Sequence, residues 1–282
     1  MAGMMPLFGG KKLAFADSAA PKTKAIVFTS FGVGDKEIRR RTLGAVVLDL
    51  KAKFKDAEVV EAYTSDVLRQ KISEQEGKPA FSLSAALEKL AANGYQEVLV
   101  LPSHLTHGEE YENKVEKVAR EFSPRFSRLV LAEPVFAVPE DYANVLAALL
   151  MDLHVRPGEE LVLMGHGSPH RHNPVYEQLQ AHIDREGLPA HVGVLEENDT
   201  PSFDDVLARL EQTGSKNVLL APLLLTGGRH VEHEMAGEEQ KSWKSRLEAA
   251  GYAVRVSPYG LGEYPAFRSL YLKKAEKALD LS

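Results

Sequence analysis

The sequence predicts an α/β protein of two similar lobes, each a parallel sheet flanked by helices, with a cleft between them. Short apolar runs rich in β-branched residues alternate with longer stretches of helical periodicity, the pattern of strand–helix–strand units. The same order of elements occurs twice along 282 residues. Histidine and glutamate also gather just behind the predicted strands, where open parallel sheets bind their ligands.

The first strand is the run Ala-Ile-Val-Phe-Thr-Ser at 25–30, which ends in Phe31-Gly32-Val33-Gly34. Asp35 can cap a single helix whose positions Ile38, Thr42, Ala45, Val46, Leu50 and Phe54 follow helical spacing. Residues 58–63 read as the second strand, 82–93 as a helix stopped by Gly94, and 97–101 as a third strand stopped by Pro102. Residues 129–133 make the fourth strand, and 140–154 a helix crossing to the next unit. In the second unit the strands fall at 161–164, 191–195, 217–221 and 254–256. The stretch from Pro79-Ala80-Phe81 through Gly94 to Pro102 is echoed from Pro201-Ser202-Phe203 through Gly214 to Pro222. Residues 23–142 therefore form the first lobe and 143–282 the second, with the last helix free to pack back on the first.

Composition narrows the function. The chain is 44% apolar and 26% charged, and it has no apolar run of the roughly 18 residues that a membrane helix needs, so no membrane insertion is expected. A net charge of -6 argues against a nucleic-acid partner. Its longest basic cluster, Arg39-Arg40-Arg41, reads as a solvated helix stripe or as a steering patch for an anionic ligand. There is no cysteine, so a metal must be held by imidazole and carboxylate. Residues 1–22 are a loose tail or the remnant of an export signal. Ala14-Phe15-Ala16 before Asp17 has the small-x-small form of a signal-peptidase site and favours the periplasm over the cytoplasm.

His166, Glu196 and His230 follow the first, second and third strands of the second unit, so the sheet brings them to one rim. Two imidazoles and a carboxylate suit Fe2+, Co2+, Ni2+ or Zn2+ and leave coordination positions open. Position for position, the first lobe sets Phe31 against His166, Thr64 against Glu196 and Glu110 against His230. The lobes differ where function would lie, which points to one lobe specialised for metal. A satisfied core histidine is the plain alternative for His166 taken alone. His233, three residues after His230, reads as a solvated helix start, because His-x-x-His-Glu is not a zincin motif. His170 and His172 sit in a polar loop or relay metal inward.

At these residues the chain resembles the class II tetrapyrrole chelatases, most closely the anaerobic sirohydrochlorin cobaltochelatases. The resemblance runs from about residue 22 to the end. It rests on Ser30-Phe31-Gly32, on Leu-Pro-Ser-His-Leu at 101–105, on Gly-Glu-Glu-Tyr at 108–111, and on Met-Gly-His-Gly-Ser at 164–168. Glu196 at a strand end and His230 ahead of Glu234-Met235-Ala236-Gly237 complete it.

The resemblance implies insertion of Co2+ into sirohydrochlorin on the cobalamin route, or of Fe2+ toward sirohaem, with His166, Glu196 and His230 as metal ligands and catalytic residues. It places Phe31, His104, Gly108, Glu110 and Tyr111 as substrate-binding positions. No organic cofactor is required, and a homo-oligomer is expected. His107, a departure from the pattern, is incidental or ligates a second metal or a haem at a subunit contact. The rival readings are a non-catalytic tetrapyrrole or metal carrier and an oxygenase with a two-His-one-carboxylate iron site.

Overall fold

Among the described residues, eight strands form two four-stranded sheets, and every pairing in both is parallel. The computed structural model describes residues 23–168 and 171–280. The export-signal reading of residues 1–22 and the metal-relay reading of His170 lie outside the described residues.

In the first lobe the order along the chain is β1 (Lys24–Ser30), α1 (Lys36–Arg41), α2 (Leu43–Lys53), β2 (Ala57–Tyr63), α3 (Asp66–Glu76), α4 (Leu83–Ala92) and β3 (Glu97–Pro102). A one-turn helix α5 (Glu109–Tyr111) leads through a π-helical turn at Glu112–Glu116 into α6 (Lys117–Phe122) and then β4 (Arg128–Leu131). Helix α7 (Pro139–Leu153) crosses to the second lobe, so a border at residue 142 falls inside one helix. There follow β5 (Glu159–Gly165), α8 (Val175–Glu186), β6 (Ala190–Val194), α9 (Phe203–Thr213) and β7 (Asn217–Pro222). A second π-helical turn at His230–Met235 precedes α10 (Trp243–Ala249), β8 (Ala253–Val256) and α11 (Pro265–Asp280).

The two sheets have the same strand order, β2-β1-β3-β4 and β6-β5-β7-β8. Their central strands are buried on both faces, which explains the continuous apolar runs in the sequence. Alternate residues serve different cores. Val27, Val98 and Val100 face a core private to the first lobe, and Val162, Met164, Val218 and Leu220 one private to the second. Ile26, Phe28, Leu99 and Leu101 instead join Leu161, Leu163, Leu219 and Ala221 in a single core with residues of α2, α7, α8 and α11.

Helix α11 ties the lobes. Tyr271 is fully buried, packs edge-on to Phe28 with ring centroids 5.8 Å apart, and donates its hydroxyl to the Ser103 carbonyl at 2.8 Å. Arg268 meets Asp49 of α2 at 2.6 Å, and Lys274 meets Asp141 of α7 at 2.7 Å.

Two local departures from the sequence reading have clear causes. The single helix expected after Asp35 is two, because the chain breaks at Thr42, whose φ of -104° and ψ of -85° are not helical. Its hydroxyl turns back to the Ile38 carbonyl at 2.6 Å, the competition with the backbone that Thr offers. Helix α3 carries only one buried residue, Ile72, and so left little periodic trace.

The repeat holds at the level of hydrogen bonds, and they set its register. Ser82 and Ser202 cap α4 and α9 in the same way, so Phe81 corresponds to Pro201 and not to Phe203.

Candidate metal centre

The rim of the second sheet is built by three strand ends. Gly165 closes β5, and it is glycine for a steric reason: a Cβ there would lie 2.4 Å from Tyr176 Cε1. His166 follows, and Gly167 turns the chain with a φ of +81°. Beyond the end of β6 the parallel ladder continues, with Leu195 N donating to the Gly165 carbonyl and Glu196 N to the His166 carbonyl, both at 3.1 Å. That pairing sets Glu196 beside His166, with Oε1 3.6 Å from Nδ1. After β7 the chain loops through Gly228 into the π-helical turn that starts at His230. Its ring stands edge-on to His166, with centroids 4.9 Å apart. π-helical turns gather at functional sites.

Sequence reasoning therefore named three neighbours. All three side chains remain open to solvent, at 42% exposure for His166, 31% for Glu196 and 45% for His230. The donors are close but not yet a coordination sphere: among the described residues no three His, Asp or Glu side chains are arranged to hold a metal ion as they stand.

The Nδ1 atom of His230 is nevertheless buried without a hydrogen-bond partner, and so is Oε2 of Glu234. Glu234 Oε1 lies 3.6 Å from that nitrogen, beyond hydrogen-bonding reach. Burial, and next the neighbouring His166, hold the His230 imidazole below the ordinary histidine range, against the pull of Glu234. It is thus neutral at pH 7, the form that binds metals. His233 is exposed on the same turn and takes no part.

Across from this rim, the first lobe presents a different set. Phe31 is 52% exposed. Glu110 accepts a short hydrogen bond from the Thr64 hydroxyl, and burial raises its carboxyl above the usual range. Tyr111 is buried, with His104 and His107 edge-on to its ring at 5.9 and 4.8 Å. Both ring nitrogens of His104 are buried without a partner, and burial pushes its pKa down to about 4. His107 points to Glu133, with Nε2 3.1 Å from Oε2. A Cβ at Gly108 would meet nothing within 4 Å, so packing does not require glycine there.

Two readings need correction. The residue opposite Glu196 is Ser65, not Thr64, because Ser65 N donates to the Phe31 carbonyl as Glu196 N donates to that of His166. Pairing, not sequence count, sets this register, and it lies one residue further on. Phe31 and Glu110 do correspond to His166 and His230, since Glu112 N and Glu232 N return to Gly108 and Gly228 alike. The basic run is also split, with Arg40 and Arg41 exposed as a solvated stripe would be and Arg39 turned inward. Arg39 is buried and committed to the Val33 carbonyl, Gln75 and Glu76, while Arg40 pairs with Glu37 and Arg41 with Glu263. Arg229 is the cation whose charge reaches His230.

The loops of the two lobes meet at the cleft. Arg171 reaches Glu112 at 2.6 Å, and Asn173 Nδ2 donates to Thr106 Oγ1 at 3.0 Å. Neither contact was legible in the sequence. The buried Asp199, three residues after Glu196, was missed as well, since Glu196-Glu197-Asn198-Asp199-Thr200 reads as a polar loop.

The model of the cobalt chelatase family (CbiK) matches residues 24–280. The chain is 33% identical over 260 residues to the sirohydrochlorin cobaltochelatase of Salmonella typhimurium, covering 92% of this chain and 97% of that one. It is also 33% identical over 252 residues to sirohydrochlorin cobaltochelatase CbiKC of Nitratidesulfovibrio vulgaris, covering 88% of each. Among solved structures, SirB from Bacillus subtilis with Fe3+ superposes with a TM-score of 0.61 at 18% identity, over 91% of this chain and 95% of that one. At that identity the likeness is one of fold.

Proposed function

Because the chain belongs to the cobalt chelatase family, we propose that it inserts Co2+ into sirohydrochlorin in the cleft between its lobes, with the ion held by His166, Glu196 and His230. The observation that carries the residue assignment is the partnerless, buried Nδ1 of a neutral His230 beside His166 and Glu196. A buried polar atom without a partner is costly unless something else satisfies it, and a metal ion would. Both relatives at 33% identity are sirohydrochlorin cobaltochelatases, which supports the choice of ring and metal. Fe2+ accepts the same ligands and is the second metal to try.

Insertion has three costs: the ion must shed water, the ring must lose two pyrrole protons, and the ring must bend until its nitrogens reach the metal. Two imidazoles and a carboxylate replace water on the ion, yet bind it less tightly than a closed four-ligand cage and so can release it. Glu196, as a ligand, is a poor base while the ion is bound, because the positive charge favours its ionised form. Glu110 on the facing lobe is better suited to take a pyrrole proton, since its burial raises its basicity. Binding to the rim of the ring, including contact of its carboxylates with Arg229, would supply the distortion.

The test is an anaerobic absorbance assay with sirohydrochlorin and Co2+, or Fe2+ in parallel, each in large excess over protein. Loss of the free-ring spectrum over many turnovers is the expected result. A change that stops at one equivalent would instead make the protein a carrier.

A further inference from the structure

The geometry points to Asp199 as the residue that positions the metal-binding loop, fixing the separation of His166 from Glu196 without touching the ion. This rests on the reading of those two residues as ligands and adds a part that the ligand set does not contain.

The Asp199 side chain has no exposure to solvent. Three backbone N–H groups and one imidazole nitrogen converge on it. Oδ2 accepts from Ser168 N at 2.8 Å, while Oδ1 accepts from Asn173 N at 3.1 Å and Thr200 N at 3.0 Å, and lies 2.8 Å from His172 Nδ1. A buried carboxylate is tolerated when its oxygens are filled in this way. Ser168 and Asn173 are thus both tied to one side chain.

A closed circuit follows. Glu196 N donates to the His166 carbonyl, Asp199 N donates to the Glu196 carbonyl at 3.1 Å, and Ser168 N returns to the Asp199 carboxylate. Both candidate ligands are members of that circuit, so their side chains start from fixed backbone positions. The carboxylate also holds Asn173, whose side chain reaches Thr106 of the first lobe. Three ligands on three separate strand ends need such a tie, because an error near 1 Å is enough to spoil a site.

The substitution D199N replaces one acceptor oxygen by an amide that must face an N–H. D199E keeps the charge and both acceptors but moves them outward by one methylene. Full-length protein would be titrated calorimetrically with Co2+ alone, and initial rates would be measured with Co2+ and sirohydrochlorin varied separately. Each variant is expected to melt near the wild type and to bind Co2+ about 10–100-fold more weakly, the range for outer partners of metal ligands. Its KM for Co2+ should rise in step, while kcat at saturating Co2+ recovers to within a few-fold of wild type. A purely structural role would lower kcat through a smaller active fraction and leave the Co2+ affinity of the folded protein unchanged.

Wild-type Co2+ affinity in either folded variant overturns the proposal, and so does unfolding of both. His166→Ala separates the two levels. Undiminished Co2+ binding in that variant would remove the ligand assignment itself, whereas its loss alongside unchanged binding in D199N would remove only the role of Asp199.

Discussion

The two lobes share a strand order, a pair of π-helical turns and even the hydrogen bonds that end their strands, yet they hold the loop after the first strand by opposite means. In the first lobe a buried guanidinium does it: Arg39 donates to the Val33 carbonyl at 3.0 Å and is itself held by Gln75 and Glu76 at the end of α3. In the second lobe no counterpart of α3 stands between β6 and α9, and a buried carboxylate, Asp199, collects the loop's N–H groups instead. The contrast extends to the rim. Phe31, Ser65 and Glu110 stand where the other lobe has His166, Glu196 and His230. One backbone plan thus supports an exposed phenylalanine with a buried acid on one side and two imidazoles with a carboxylate on the other. The shared core can stay the same while the strand ends diverge, because parallel sheets place ligand-binding groups on loops beyond the carboxyl ends.

The sharpest way to break the comparison is at the rim itself. His166→Ala and His230→Ala should each abolish Co2+ insertion above the uncatalysed rate, with folding intact by circular dichroism. Phe31→Ala, at the matching position of the other lobe, should leave Co2+ affinity alone and raise the KM for the ring. Equal losses of Co2+ affinity in all three would mean that the lobes are not specialised. Glu110→Gln comes next. General bases contribute about 10²–10⁴-fold, so a loss in that range is expected in kcat. The acid must be ionised to accept a proton, and burial raises its pKa, so the wild-type rate should climb with pH through that raised value. A climb that survives in Glu110→Gln would assign the base elsewhere.

The architecture was legible because each strand is a compact apolar run and each lobe repeats the other. The closeness of His166, Glu196 and His230 was legible because the first two stand just past their strands and His230 follows the third strand by one loop. What the sequence concealed was held by single side chains at long range. Arg39 looks like part of a basic stripe until Gln75 and Glu76 are seen to surround it. Asp199 looks like one acid in a polar run until its four polar partners, from residues 168 to 200, are in place. The slip from Ser65 to Thr64 has the same origin, since strand register is set by pairing and a sequence does not print it.

A stability effect separates the lobes next. His104 of the first lobe keeps both ring nitrogens buried, with its pKa pushed down to about 4 from 6.5. The unfolded chain then binds more protons than the folded one between those values, so stability falls as pH drops from 6.5 toward 4. The full loss is on the order of 3 kcal/mol. Denaturant melts across that window should show the slope, and His104→Phe should flatten it. Glycine positions give a smaller contrast. Gly165→Ala should cost about 1–3 kcal/mol, because Tyr176 leaves no room for a Cβ. Ser30, its counterpart, already carries one, and Ser30→Ala should cost under about 1 kcal/mol. Matching losses would show that Tyr176 gives way.

The smallest effect is expected where the lobes meet in water. Arg171 and Glu112 link the loop behind His166 to the π-helical turn of the first lobe, but both side chains are about half exposed. An exposed pair is screened and must order two long side chains, so it adds little. Arg171→Ala should therefore lower the melting temperature by no more than about a degree, and the difference should vanish in 1 M salt. The lobes would then be held together by the core around Tyr271 and α7, with the cleft mouth left easy to open for a large flat ring. A larger loss that persists in high salt would reverse that assignment. The contact at the mouth would then be part of what joins the lobes, and ring entry would have to break it.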